Sequence, residues 1–165
     1  MKKTPKKLVS KAEIVAPQAK VSQNCDTLGW RFKVYVSDAG NSGVQKIIDG
    51  QDEAVIQHFK IRVKYLANTP KRDWQEPHAL KLKKVTDIYE IRFKANGVQV
   101  RPFGFFGPNV NEFTILVWAT HKQKIYDPHN AIDTANSRRK LIQEGKARCV
   151  PLQINGEEFP CVEDS

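Results

Sequence analysis

The fold of this chain is decided by DIYEIRFKANGVQVRPFGFF, residues 87–106. Its Asn96-Gly97 dipeptide is the strongest short-range signal for a β-hairpin, because both residues of the two-residue turn must take positive φ. A turn at this position puts the apolar side chains on one face of the hairpin. The supporting pairs are Ala95 with Val98, Phe93 with Val100, Ile91 with Pro102, and Tyr89 with Gly104. A shift by one residue would reverse the faces, so the apolar pattern supports the same register.

The other face of this hairpin sets two arginines against each other. Arg92 and Arg101 become direct cross-strand neighbours, with Cβ atoms about 5 Å apart and a cost of about 0.2–1 kcal/mol for the like charges. One interpretation is structural: Glu90 bridges toward Arg92 while solvent screens Arg101. The other is an anion site, in which planar guanidinium groups bind phosphate oxygens bidentately, as lysine cannot. The residues alone leave both interpretations open.

Alternating and helical patterns extend the prediction on either side of the hairpin. We expect strands at residues 30–36, 80–83 and 112–120, and a helical stretch at 44–66 divided near Gly50. Residues 121–126 are predicted to leave the sheet. Asp127-Pro128 is typical of an N-cap followed by the first helical position, so a last helix is predicted from there to about Gly145. A second Asn-Gly, Asn155-Gly156, indicates a small terminal hairpin.

Charge and composition divide the chain into three segments. We predict a flexible basic arm at residues 1–28, a folded domain at 29–146, and a tail or small hairpin at 147–165. The net charge is +9, and residues 30–146 alone carry 20 basic against 12 acidic side chains. Such a field favours polyanionic partners: RNA, DNA, ribosomes or acidic proteins. The alternative is a cationic surface that only confers solubility.

Several classes of protein lack support in the sequence. The longest apolar run, residues 115–119, is far below the roughly 20 residues of a membrane span, and no signal peptide is recognisable. Cys25, Cys149 and Cys161 are odd in number and contain no CxxC pair, which favours free thiols in a reducing cytosol over disulfides or zinc. No GxSxG, P-loop, HExxH or GxGxxG motif is present, so the corresponding enzymes are not indicated.

Three stretches share a resemblance: DIYEIRFKANGVQVRPFGFF, ILVWATHKQKIYDP and AIDTANSRRK. Together they resemble the phage-derived HigB-like branch of the RelE/ParE toxin superfamily, over residues 30–146 and most specifically over 80–142. The resemblance implies a RelE-like α+β fold, with an N-terminal strand and two helices packed on an antiparallel sheet of three to four strands, plus a C-terminal helix. The chain departs from the family at Gln123, which replaces the second lysine of a Lys-Lys pair, and at Pro102, which replaces a strand residue.

The resemblance implies the toxin of a type II toxin-antitoxin system, a cytoplasmic, ribosome-dependent endoribonuclease that cleaves mRNA. In such a reaction a ribose 2′-hydroxyl attacks the adjacent phosphorus, and no metal or other cofactor is required. The implied partners are mRNA, the ribosome and a HigA-like helix-turn-helix antitoxin, with no membrane. Two alternatives remain open: a non-catalytic RelE-fold module that binds nucleic acid or protein, and gyrase inhibition as in the ParE branch.

Site residues follow from combining this resemblance with the hairpin. The expected catalytic set is Arg92, Arg101, His121, Lys122, Lys124 and Tyr126, and the expected RNA-binding set is Lys94, Arg138 and Arg139. The two hairpin arginines are expected to hold phosphate, with the two lysines flanking them. His121 is the candidate proton carrier because an imidazole can accept and donate a proton near neutral pH, although a histidine at a strand end is also a common structural residue. Tyr126 is a candidate for stacking on a base or positioning a proton, or for capping the core.

Overall fold

A computed structural model describes residues 29–160, so the predicted basic arm at residues 1–28 lies outside the described residues. Within this range three helices and twelve strands form, the strands lying in sheets of six, four and two. The helices are α1 (Gly43–Asp49), α2 (Glu53–Ala67) and α3 (Ala131–Gln143), with a 3-10 turn at Lys71–Asp73. The strands are β1 (Arg31–Val36), β2 (Ala79–Lys81), β3 (Tyr89–Ile91), β4 (Phe93–Ala95), β5 (Val98–Val100), β6 (Phe103–Phe106), β7 (Glu112–Val117), β8 (Thr120–Lys122), β9 (Ile125–Asp127), β10 (Arg148–Pro151), β11 (Gln153–Ile154) and β12 (Glu157–Glu158).

The six-stranded sheet has the order β10-β1-β7-β6-β3-β2. β1 runs parallel to β7, and the other neighbouring pairs are antiparallel. Every residue of β7 is buried, including the polar Glu112 and Thr114, and β1 and β6 pair with its two edges. The prediction of a central strand here is confirmed. β10 lies in the predicted C-terminal segment and pairs with β1.

The four-stranded sheet has the order β4-β5-β8-β9 and is antiparallel throughout. The predicted register about Asn96-Gly97 is confirmed, since Phe93 pairs with Val100. Residues 121–126 were predicted to leave the sheet. They are absent from the six-stranded sheet, but they belong to the four-stranded sheet, so the prediction is wrong for that sheet. They form the β8–β9 hairpin, which turns at Gln123-Lys124 with φ of 52° and 67°. Two non-glycine residues in the left-handed region make this turn hard to predict.

The long hairpin of residues 87–106 divides between the two sheets at its arginines. Arg92 donates its backbone N–H to the His78 carbonyl at 2.9 Å, and Arg101 donates its own to the Ala119 carbonyl at 2.7 Å. Pro102 has no N–H to donate, so the ladder is interrupted beside Arg101. The predicted hairpin is therefore shared between two sheets, and Tyr89 pairs with Gly104 beyond the interruption as expected.

The RelE-like fold class is contradicted by the sheets. The prediction placed the N-terminal strand and two helices on an antiparallel sheet of three to four strands, whereas strands dominate the structure. β1 is an internal strand of a mixed six-stranded sheet, because both β7 and β10 pair with it. The second sheet of four strands adds a further departure. The correct description is mixed α/β, with three sheets in the described range.

The helices follow the predicted pattern except at one boundary. Division of the first helical stretch near Gly50 is confirmed, since this residue is the C-cap of α1. The predicted start of the last helix at Asp127-Pro128 is wrong, because Asp127 ends β9 and pairs with Thr120. α3 begins at Ala131 instead, with Asn130 as its N-cap. None of the helices in residues 29–160 combines the length and the hydrophobicity that crossing a bilayer requires.

An aromatic cluster fills one end of the core. Trp74 is 3% exposed and stacks on Phe32, with ring centroids 6.1 Å apart. Its ring centroid also lies 4.7 Å from that of Phe113. Its indole N–H donates to the Thr69 carbonyl at 2.9 Å, which satisfies the polar atom of a buried ring. The cluster anchors the loop that leads into β2 and so positions residues 75–78 beside β4.

The small hairpin predicted at Asn155-Gly156 is confirmed by the pairing of β11 with β12.

Gly104 offers a direct test of the contact between β6 and β7. A Cβ atom at this position would lie 2.4 Å from the Thr114 carbonyl oxygen and 2.6 Å from Cε2 of Phe113. We expect Gly104→Ala to lower the free energy of unfolding by about 2 to 3 kcal/mol, because a backbone oxygen in a central strand cannot move aside easily. Chemical denaturation measures this. Gly43→Ala is the control, because its added Cβ has no neighbour within 4 Å, and equal stability of the two variants would contradict the expectation.

Candidate functional site

A positively charged groove lies beside the point where the hairpin divides. Its volume is about 420 Å³. We call it the arginine groove, and its lining residues are Arg62, Glu76, Pro77, Arg92, Phe93, Lys94, Gln99 and Arg101. Four cations and one carboxylate therefore line it. Arg92 and Arg101 share this groove, and the charge of Arg92 is, after burial, the next cause that lowers the pKa of Arg101.

Arg92 has a partner that the sequence did not indicate. Its guanidinium Nη1 contacts the Glu76 carboxylate. The side chain of Arg92 is 22% exposed and that of Glu76 is 64% exposed. The structural interpretation of the sequence gave this place to Glu90, whereas Glu76 on the loop before β2 occupies it. Because the pair is open to solvent, its contribution to stability is about 0–1 kcal/mol.

Arg101 is held from inside the protein. It is 6% exposed, and its Nη1 donates to the Val100 carbonyl at 2.9 Å and to the Phe93 carbonyl at 3.3 Å. Its Nη2 donates to Oε1 of Gln99 at 2.5 Å, and its Nε lies 4.0 Å from Oε2 of Glu90. Burial is the first cause that lowers the pKa of this guanidinium. These contacts fix the direction of Arg101, and they also use much of its hydrogen-bonding capacity.

Glu90 and Tyr126 form the inner wall behind Arg101. Glu90 is 2% exposed, and the Tyr126 hydroxyl donates to both of its carboxylate oxygens, at 2.9 and 3.1 Å. Burial, followed by the charge of Glu90 and this hydrogen bond, raises the pKa of Tyr126 well above its usual range. The ring of Tyr126 packs edge-on against Phe103, with centroids 5.0 Å apart. Tyr126 thus links β9 to β3, and its hydroxyl is already engaged.

Three other predicted catalytic residues, His121, Lys122 and Lys124, line a second groove. We call it the lysine groove; its volume is about 640 Å³, and its lining residues are Lys94, Gly97, Val98, Gln99, Thr120, His121, Lys122, Gln123, Lys124 and Asp127. His121 pairs with Gln99 across the β5–β8 ladder, and its ring lies 4.7 Å from that of Tyr126. Lys94 and Gln99 are a cross-strand pair that lines both grooves. The predicted catalytic set is therefore divided between two adjoining grooves, except for Tyr126, which is among the lining residues of neither.

The predicted RNA-binding residues have different surroundings. Lys94 is exposed and belongs to both grooves. Arg138 donates to the Leu116 carbonyl at 2.7 Å and lies over the ring of Tyr35, 4.7 Å from its centroid. Arg139 is buried and donates to the side chains of two other α3 residues. Both α3 arginines thus have partners within the protein, and neither is among the lining residues of the two grooves.

Arg62 and Glu76 are groove residues that the sequence prediction missed. The sequence did not mark Arg62 as a site residue, but its side chain lines the arginine groove, and its Nη1 contacts Nδ1 of His78. Burial lowers the pKa of Arg62, and burial together with Arg62 lowers that of His78. Packing of Phe59 on Phe93, with centroids 5.9 Å apart, brings α2 to the hairpin. No local sequence signal marks this approach.

Between residues 29 and 160, no group of three or more His, Cys, Asp and Glu side chains is arranged to hold a metal ion. Comparison of the chain with protein-family models, with curated proteins and with solved structures gave no match.

Proposed function

We propose that this chain binds single-stranded RNA across its two grooves and cleaves mRNA on the ribosome, as the toxin of a type II toxin-antitoxin pair. The observation that carries the proposal is the convergence of Arg62, Arg92, Lys94 and Arg101 on one groove that holds a single carboxylate. Guanidinium groups bind phosphate oxygens bidentately, and their positive charge neutralises the negative charge of the nucleic-acid backbone. The net charge of +9 supports the same class of partner.

The chemistry assigned to the groove is attack of a ribose 2′-hydroxyl on the adjacent phosphorus. The attacking hydroxyl loses a proton, the P–O5′ bond breaks, and the departing 5′ oxygen takes up a proton. Extra negative charge develops on the phosphoryl oxygens during this exchange, so cations fixed beside it lower the barrier. Arg92 is the best-placed donor, because it is partly exposed and pairs with an exposed carboxylate. His121, in the adjoining lysine groove, is the proposed proton carrier.

The proposed partners follow from the same surface. A cytoplasmic antitoxin that neutralises the protein has to compete with RNA, so it is expected to place acidic side chains over the two grooves. A small helix-turn-helix protein of the HigA type, encoded by a neighbouring reading frame, is the proposed candidate. Expression of the chain alone is expected to arrest growth, and co-expression of that neighbour is expected to restore it.

A second candidate function is binding of RNA without cleavage. Two observations favour it: Arg101 and Tyr126 are already bonded to protein groups, and His121 lines the lysine groove with the two lysines rather than the arginine groove. In this case the grooves would hold the RNA backbone with no residue in position to move the proton. The protein would then act by binding RNA and not by cutting it.

Incubation of the purified chain with translating ribosomes tests the proposal. Mapping of mRNA 5′ ends is expected to reveal new ends that appear only with the protein and only on translated messages. Binding of RNA without new ends would favour the second candidate. DNA breaks with intact mRNA would instead indicate gyrase inhibition. If the protein neither binds nor cleaves RNA, both RNA-directed functions are wrong.

A further inference from the structure

Glu76 supplies the carboxylate of the arginine groove. It lies on the loop between the Lys71–Asp73 turn and β2, and it contacts Nη1 of Arg92. Its side chain is 64% exposed, so solvent reaches it freely. The other carboxylate near the arginines, Glu90, is buried, and its two oxygens share the hydroxyl proton of Tyr126. The two acids therefore differ in how easily an incoming anion could displace them.

A carboxylate and a phosphate group make the same kind of contact with a guanidinium. Each offers anionic oxygens to the N–H donors of arginine, in the same plane and at similar distances. An exposed ion pair contributes only about 0–1 kcal/mol, so displacement of Glu76 by a phosphate has a small energetic penalty. Displacement of Glu90 would uncover a buried charge and would cost far more.

We propose that, in the free protein, Glu76 occupies the position beside Arg92 that a phosphate group of the RNA takes in the complex. Glu76 is then an internal competitor that lowers the affinity of the groove for RNA, while Glu90 stays in place and keeps Arg101 oriented. This inference rests on the proposed binding of RNA. It adds that the phosphate site is centred on Arg92, and that it is restrained by a residue of the chain itself.

The test compares Glu76→Gln with wild type in binding a fluorescent single-stranded 2′-O-methyl oligoribonucleotide, which lacks the attacking hydroxyl. Fluorescence anisotropy at one fixed salt concentration gives the dissociation constants. We expect Glu76→Gln to bind about threefold to fivefold more tightly, because the competing carboxylate is gone. When Arg92→Gln is already present, adding Glu76→Gln is expected to give no further gain in affinity over Arg92→Gln alone.

Glu144→Gln is the matched control. Glu144 forms an exposed ion pair with Lys146 at 3.5 Å, and its side chain is 55% exposed. Its substitution changes the net charge by the same amount as Glu76→Gln, so it measures the general electrostatic effect. We expect that effect to be less than about twofold at physiological salt. Thermal unfolding should show both variants folded, since exposed pairs contribute little to stability.

The outcomes separate this inference from the function on which it rests. Equal affinities for Glu76→Gln and Glu144→Gln would overturn the role of Glu76. If Arg92→Gln still weakened binding in that case, RNA binding by the groove would stand. Failure of wild type and Glu76→Gln alike to bind the oligoribonucleotide would overturn both. A gain that persists without Arg92 would show that Glu76 acts elsewhere, and would also overturn the inference.

Discussion

Arg92→Gln is expected to reduce cleavage of mRNA by this protein about 10²- to 10³-fold, the usual effect of removing one donor aimed at the charge of a transition state. Arg92 is the arginine of the hairpin that remains partly exposed, with an exposed carboxylate as its side-chain partner. Glutamine keeps a similar length but has neither the charge nor the planar pair of donors. The rate at which new mRNA 5′ ends appear on translating ribosomes measures the loss.

Two companions make this experiment specific. Arg148→Gln removes an exposed arginine from β10, the edge strand of the six-stranded sheet that lies opposite to β2 and the Glu76 loop. We expect this variant to keep the cleavage rate within about twofold of wild type, as for a distant charge at physiological salt. Arg92→Lys keeps the charge without bidentate geometry, and its rate is expected to fall between wild type and Arg92→Gln. Similar rates for Arg92→Gln and Arg148→Gln would contradict the role given to Arg92.

Glu90→Ala is expected to lower the free energy of unfolding by about 3–5 kcal/mol, as for other buried ion pairs that lose one partner. The variant leaves the Arg101 guanidinium buried beside a site with no negative charge. It also leaves the Tyr126 hydroxyl without its acceptor. Urea denaturation monitored by tryptophan fluorescence measures the change, since Trp118 packs close to the same hairpin, on Phe93.

The comparison variants for Glu90 separate charge from shape. Glu90→Gln keeps the volume and an acceptor for Tyr126, so its loss is expected to be smaller than that of Glu90→Ala. Glu90→Leu combined with Arg101→Leu removes both charges, and it is expected to be more stable than Glu90→Ala, because no unpaired charge stays buried. A loss below about 1 kcal/mol for Glu90→Ala would show that the pair is not a structural element.

Local signals were enough to predict several elements of the fold. Asn96-Gly97 fixed its hairpin because turn geometry and the apolar alternation agree. The buried run of β7 and the break near Gly50 were equally readable. The parallel pairing of β1 with β7 joins distant parts of the chain, so no local pattern indicates it. The Gln123-Lys124 turn has no glycine and was missed for that reason.

The candidate site was predictable only in part. The register placed Arg92 and Arg101 on one side, and both do line one groove. Their unequal exposure could not be foreseen, because it depends on the packing around each side chain at the boundary between two sheets, where Arg101 is buried and Arg92 is not. Glu76 enters the groove through a loop anchored by aromatic packing elsewhere. A residue that reaches the groove from a distant loop in this way can be recognised only from the tertiary structure.

The place of β1 between β7 and β10 has a consequence for biosynthesis. β1 begins at Arg31, yet its two neighbours end only at Val117 and Pro151. A ribosome releases the chain from its N-terminus, so β1 has no strand to pair with until β7 has emerged, and its second neighbour, β10, follows later still. Pairing across such sequence separations is intrinsically slow. The six-stranded sheet is therefore completed only after residue Pro151 has been synthesised.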